Sequence, residues 1–288
     1  MNKFLSFAAL AAGLTLSVAA SAQEQATTAS SNGSYRPIPN SDIMFRKTIW
    51  RAIDLREKQN KPMFSEGKEI SGVIMDAVKR GELQAYRNDS LTSTLSAAEM
   101  LGNMSYQEAA AGLSDEEKAA GFSNEATDDW GAPVKKGSKA AAPAAASSYA
   151  YRPKEIYQME LKEDMIFDKK RSRMYHDIKS ITLLVPSTLS GNTSGIERPI
   201  ASFKYSDLVR VFRANPDKAI WFNPQNDAQH KNLADAFELW LFNSYIVKVS
   251  NPNDSRLDEV YGSQQQGILA SQQAAADLIE YEYNLWSF

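Results

Sequence analysis

From Tyr157 onward the side chains alternate: Tyr157, Met159, Leu161, Met165 and Phe167 are apolar, while Gln158, Glu160, Lys162 and Asp164 are polar. A period of two places one set on each side of an extended chain, so this stretch predicts a strand with one dry face. The basic turn DKKRS then leads into RMYHDIKSITLLV, whose last residues are apolar on both faces and predict a second, more deeply buried strand. A turn this short makes the two strands an antiparallel hairpin. A hairpin with a dry face is marginal alone and must recruit further strands or helices to cover it.

The remaining patterns supply those elements. Ser206 is positioned to cap a helix bearing Leu208, Val211 and Phe212, Asn215-Pro216 stops it, and AIWF follows as a short strand. Leu233, Ala236, Phe237, Trp240 and Leu241 predict another helix, SYIVKV a strand, and Ile268–Trp286 a last helix with Leu278, Ile279 and Leu285 on one side. Upstream, Ser41 or Asp42 is the expected cap of a helix running to about Asn60. Phe45, Ile49 and Ile53 at i, i+4 and i+8 would be its buried stripe, with Trp50 beside them, and Pro62 follows its end. Glu69–Lys79 predicts a second helix through Ile70, Val73, Ile74 and Ala77, ended by Gly81 and followed by a short strand in ELQAY. The class is therefore α+β: a mostly helical N-terminal half with short strands, then a hairpin, helix–strand units and a C-terminal helix. IMDAVKRGELQAYRND and LVRVFRANPDKAIWFNPQND share the order helix, basic end, short strand, polar turn, a faint internal echo.

Composition sets the boundaries. Lys3, an apolar run from Phe4 to about Val18 and the small residues Ala20-Ser21-Ala22 predict a signal peptide over residues 1–22, cut before Gln23. Residues 23–40 read as a flexible leader, 41–131 as the N-terminal half and 132–150 as an Ala/Pro/Ser/Lys tract acting as linker. Residues 151–262 form the α+β half and 263–288 the C-terminal helix. With no cysteine there is no lipid-bearing thiol, disulfide framework or thiolate metal site. The expected product is an exported, unanchored periplasmic protein, brought to a membrane only by a partner.

Reactive motifs are missing. The chain has two histidines, His176 and His230, too few for a His-rich metal site. Ser194 in GNTSG lacks the spacing of a nucleophile elbow, and neither glycine-rich phosphate loop occurs. Glu163 and Asp164 are neighbours in a strand and face opposite ways, so they do not form an acid–base pair. No catalytic residues, cofactor or metal are expected. The net charge of −3 predicts no general affinity for nucleic acid. Its distribution is uneven: Ala97–Gly131 carries eight acids against Lys118 alone, and Tyr151–Arg213 twelve bases against eight acids, an asymmetry that suits docking to charged surfaces.

Five stretches carry a family resemblance: WRAIDLREKQNKPMF after RPIPNSDI, LKEDMIFDKKRSRM, FNPQNDAQ, FNSYIVKVSNPNDSR and the closing IEYEYNLWSF. In this order, from about Arg36 to Phe288, the chain resembles the GldN/PorN family of the type IX secretion and gliding-motility machinery. The resemblance implies a non-enzymatic periplasmic subunit. It implies a ring-shaped assembly of many copies with an outer-membrane lipoprotein of GldK/PorK type, in contact with the periplasmic part of a GldM/PorM-type motor protein. The charged segments are then candidate interfaces: Trp50, Arg51, Asp54, Arg56, Glu57 and Lys58 on the expected first helix, and Lys169, Lys170, Arg171 and Arg173 at the hairpin tip. The competing reading is a periplasmic carbohydrate- or peptide-binding module using Trp130, Trp221 and Tyr151 as a stacking surface.

Overall fold

The computed structural model describes residues 38–107, 148–189, 191–192 and 195–285. The expected signal peptide, most of the leader, most of the acidic run, Trp130, residues 132–147 of the tract and Trp286 lie outside these. In chain order the elements are β1 (Ile43–Asp54), α1 (Ile70–Lys79), β2 (Ala85–Tyr86), β3 (Thr94–Leu95), α2 (Ala97–Asn103), β4 (Ser105–Gln107), β5 (Ser148–Ala150), β6 (Gln158–Asp168) and β7 (Arg173–Val185). Then come β8 (Arg198–Lys204), α3 (Tyr205–Ala214), β9 (Ile220–Trp221), β10 (Lys231–Asn232), α4 (Leu233–Glu238), β11 (Tyr245–Val249), α5 (Leu257–Tyr261) and α6 (Gln264–Leu285). Seven strands form one sheet in the order β11-β1-β6-β7-β8-β2-β3, and β9/β10 and β4/β5 form two-stranded ribbons. The α+β class and the β6–β7 hairpin are as the sequence predicts.

The first helix is not. Residues 43–54 are the twelve-residue strand β1, not a helix from Ser41 to Asn60. Spacings of four and eight are multiples of the strand period of two and fall only about 40° and 80° past whole helical turns, so Phe45, Ile49 and Ile53 share a strand face as readily as a helix face. The tie is broken by composition and partners. Thr48, Ile49, Trp50 and Ile53 favour extended backbone, and β6 and β11 flank the segment on both edges. At one end the Lys169 amide donates to the Asp42 carbonyl, and at the other the Leu55 amide donates to that of Tyr157. These two bonds set β1 antiparallel to β6.

Two compact units make up the chain, and each takes segments from both sides of the 132–150 tract. One holds the residues up to Ala52, Leu161–Ser180 and those from Ser244 on; the other holds Ile53–Glu160 and Ile181–Asn243. In the first, Ile49, Met165 and Ile246 form a buried core under α5 and α6, which cover it with Leu257, Ala274, Ala275 and Leu278. Gly267 lets α6 approach α5, since a Cβ there would lie 3.1 Å from Cα of Asp258. Leu278 faces inward as predicted, but Ile279, a further 100° around the helix, is 68% exposed. Strand β11 carries a bulge against β1: Trp50 opposes Lys248 while Arg51 opposes Ile246, leaving Val247 as the extra residue.

In the second unit α1 buries Ile70, Val73, Ile74 and Ala77 as expected, and Gly81 closes it with a φ of 74°. The helices α3 and α4 meet through Tyr205, Phe212 and Phe237. Strand β8 is an addition to the sequence reading, which assigns no element between the hairpin and the helix capped at Ser206. Ile200, Ala201, Ser202 and Phe203 are buried in succession, a pattern without period two. The residue at the α3 cap position is Lys204. The two halves of the internal echo diverge: β2 after α1 joins the large sheet, while β9 after α3 pairs with β10.

Candidate functional site

The charged residues of Trp50–Lys58 become intelligible once the segment is a strand followed by a turn. Arg51 points to the same face as Ile49. There its Nε donates to Oε1 of Glu163 at 2.5 Å, with the Glu163 side chain 0% exposed and Arg51 15%. The other oxygen, Oε2, lies 3.1 Å from Nδ1 of His176. Burial by itself would raise the Glu163 carboxyl, but the His176 hydrogen bond and the Arg51 and His176 charges outweigh it and hold it below the ordinary glutamate value. Glu163 occupies the odd, dry face of β6, between Leu161 and Met165. That break in the alternation is the sequence signal that locates the cluster.

The opposite face carries a second set. Thr48 donates to Asp164 at 2.7 Å, and Nζ of Lys179 lies 2.6 Å from Asp177 and 3.7 Å from Asp164. Burial raises the Asp177 carboxyl despite its Lys179 partner. Trp50, buried on this face with Ala52 and Val247, lies under two ammonium groups, Lys248 at 4.2 Å and Lys162 at 5.1 Å from the ring centre. Its contacts are thus made within the chain rather than offered outward.

Asp54 does not pair with Lys58 as a helix would require; it binds the amide and guanidinium of Arg56, whose plane stacks over the Tyr157 ring at 3.7 Å. Asn60, fully buried, donates to the Asp54 and Asn243 carbonyls and accepts from the Asn243 amide, while the Asn243 side chain donates to Glu57. Arg56 and Lys58 are the exposed residues of Trp50–Lys58. Sequence reasoning missed Asn60, a turn-type residue whose role depends on the loop before β11, 183 residues away.

At the hairpin tip, Asp168 is 0% exposed and accepts from the Lys170 and Arg171 amides and from the Arg171 guanidinium at 2.6 Å. Burial opposes its charge, but these donors hold its carboxyl below the ordinary aspartate value. The tip therefore has an acidic keystone that presents Lys169, Lys170, Arg171 and Arg173 to solvent. The two described aromatics of the competing reading, Tyr151 and Trp221, are not exposed as a stacking surface. Tyr151 is buried against Tyr106, and Trp221 is half-buried with its indole nitrogen away from water. Among the described residues no three His, Cys, Asp or Glu side chains gather as metal ligands, and no helix is long and apolar enough to cross a membrane.

Against known families, the chain matches the model described as gliding motility associated protein GldN over residues 38–287, which is all but the first 37 residues and the last. The chain belongs to the GldN family. No curated protein matches it. As a GldN-family protein it is a component associated with gliding motility. The Trp50–Glu57 stretch makes its described contacts within its own fold.

Proposed function

We propose that this GldN-family chain is a non-enzymatic structural subunit of the type IX secretion and gliding-motility apparatus. It is exported to the periplasm by residues 1–22. It forms a ring-like complex of many copies with an outer-membrane lipoprotein of GldK/PorK type, and it contacts a motor-linked protein of GldM/PorM type. The observation that carries the reading is the family match along residues 38–287. The charge asymmetry of the chain and the cationic tip held out by Asp168 are consistent with docking on other subunits.

The absence of cysteine from the chain gives the reading a direct test, since no lipid can be attached to it through a thiol. In cells lacking the lipoprotein partner, the protein is expected in the soluble periplasmic extract; with the partner present it should sediment with the outer membrane in a high-mass complex. Persistent membrane association without the lipoprotein, or a monomer in its presence, would refute the assignment.

A further inference from the structure

Helix α6 has two faces, and among the described residues only one is covered by the fold. Its inner side, Ser271, Ala274, Ala275 and Leu278, lies against the sheet. The outer side carries Ile268, Gln272, Ala276, Ile279 and Tyr283, all exposed. At 100° per residue these five fall within about 80° of arc and run about 22 Å along the axis. Ile279 and Tyr283 are 68% and 75% exposed, and Leu269 extends the stripe at 64%. Isolated exposed apolar residues are ordinary, but an uninterrupted, uncharged ridge of this length on one helix marks a contact surface.

Charge specifies the occupant. Residues 257–285 contain five acids, Asp258, Glu259, Asp277, Glu280 and Glu282, and no base. Glu280 lies about 40° beyond one edge of this arc and Glu282 about 40° beyond the other. Two copies of α6 packed through this face would bring acid near acid, with no base on either helix to offset them. An anionic lipid surface would be repelled for the same reason.

We infer that the outer face of α6 is a docking ridge for a different protein, one that offers an apolar groove rimmed by lysine or arginine. This rests on the reading of the chain as an assembly subunit and adds the surface and the chemistry of the partner. The apolar seam supplies contact area, and the basic rim meets Glu280 and Glu282 and disfavours both self-pairing and acidic membranes.

The test uses the full chain in cells that carry the apparatus. Two double variants, Ile279→Glu/Tyr283→Glu and Glu280→Lys/Glu282→Lys, are compared with wild type by sizing of the native complex and by melting of the purified proteins. Gln272→Cys, the only thiol in the chain, carries a short photo-crosslinker on the ridge. Both variants are expected to melt as wild type while their recovery in the complex falls at least about tenfold, the effect of losing one anchor. The crosslink should map to another subunit, at a segment with basic residues beside apolar ones. Undiminished recovery of both variants overturns the inference and leaves the subunit reading standing, whereas a wild-type chain that sizes as a monomer sinks the subunit reading itself. A crosslink to a second copy, to residues 108–147 of the same chain or to lipid also overturns it.

Discussion

Replacing Arg51 by Met separates two accounts of the charged N-terminal segment. If Arg51 were a docking cation, its loss would weaken assembly and leave the fold alone. The geometry requires the reverse. Glu163 is wholly buried, and Arg51, 2.5 Å away and itself 15% exposed, is its better-buried partner. Removing one member of a buried ion pair commonly costs about 3–5 kcal/mol, because the remaining charge is left without compensation. His176, whose side chain is 35% exposed, still reaches Oε2 at 3.1 Å, which places the expected loss near the lower end, about 3 kcal/mol. Glu163→Gln keeps an acceptor for Arg51 and should cost less, about 1–3 kcal/mol, because Arg51 retains access to water. The double variant should fall short of the sum, since the second change removes the group that the first left unpaired.

The pH dependence has a definite sign. A carboxyl held below its ordinary value binds fewer protons in the folded than in the unfolded chain. The contribution of Glu163 is therefore fully present above the ordinary glutamate range and fades as pH falls through its lowered folded value. Urea unfolding of wild type and Arg51→Met between pH 3 and 7 reads both effects. The variant should show a lower midpoint at neutral pH, and the gap should narrow as the medium is acidified. An unchanged midpoint at pH 7, with assembly lost, would refute the buried-pair account and restore Arg51 to an interface.

Asn60→Ala should cost about 2–4 kcal/mol in chemical denaturation, because three backbone groups at Asp54 and Asn243 lose their partner; a loss under half a kilocalorie would mean that water replaces it. Trp50→Ala should cost about 3–5 kcal/mol, whereas Lys248→Ala, which removes one of two ammonium groups over the ring, should shift the melting curve by only about 0.5–1 kcal/mol. At the hairpin tip, Lys169→Glu with Lys170→Glu should leave stability within about 0.5 kcal/mol, but Asp168→Ala should lower the melting temperature because the turn amides and Arg171 lose their acceptor. If the 132–150 tract is a passive tether, deleting roughly ten of its residues should leave protein level and secretion unchanged; loss of secretion at normal level would make it a contact surface.

Local pattern alone was enough for much of this protein. The β6–β7 hairpin follows from side chains alternating across a pleat. Helix α1 follows from Ile70, Val73, Ile74 and Ala77 recurring at a period near 3.6 and closing on Gly81, and the family is carried by residues spread from the leader to the last helix. Each hairpin strand and the helix is written within about a dozen neighbouring residues. Tertiary structure settled the rest. Phe45, Ile49 and Ile53 satisfy helix and strand equally, and only the flanking strands β6 and β11 give the segment its extended form and its second set of hydrogen bonds. Once it is a strand, Arg51 turns from an exposed helix cation into the partner of a glutamate more than one hundred residues away. Glu163 and His176 then acquire a role that neither shows in isolation. Strand β8 was hidden for a related reason, because burial on both faces removes the alternation that marks an edge of water. A periodicity records which faces are dry, but which chain dries them is a non-local fact, and the pairing of a buried charge follows from that fact alone.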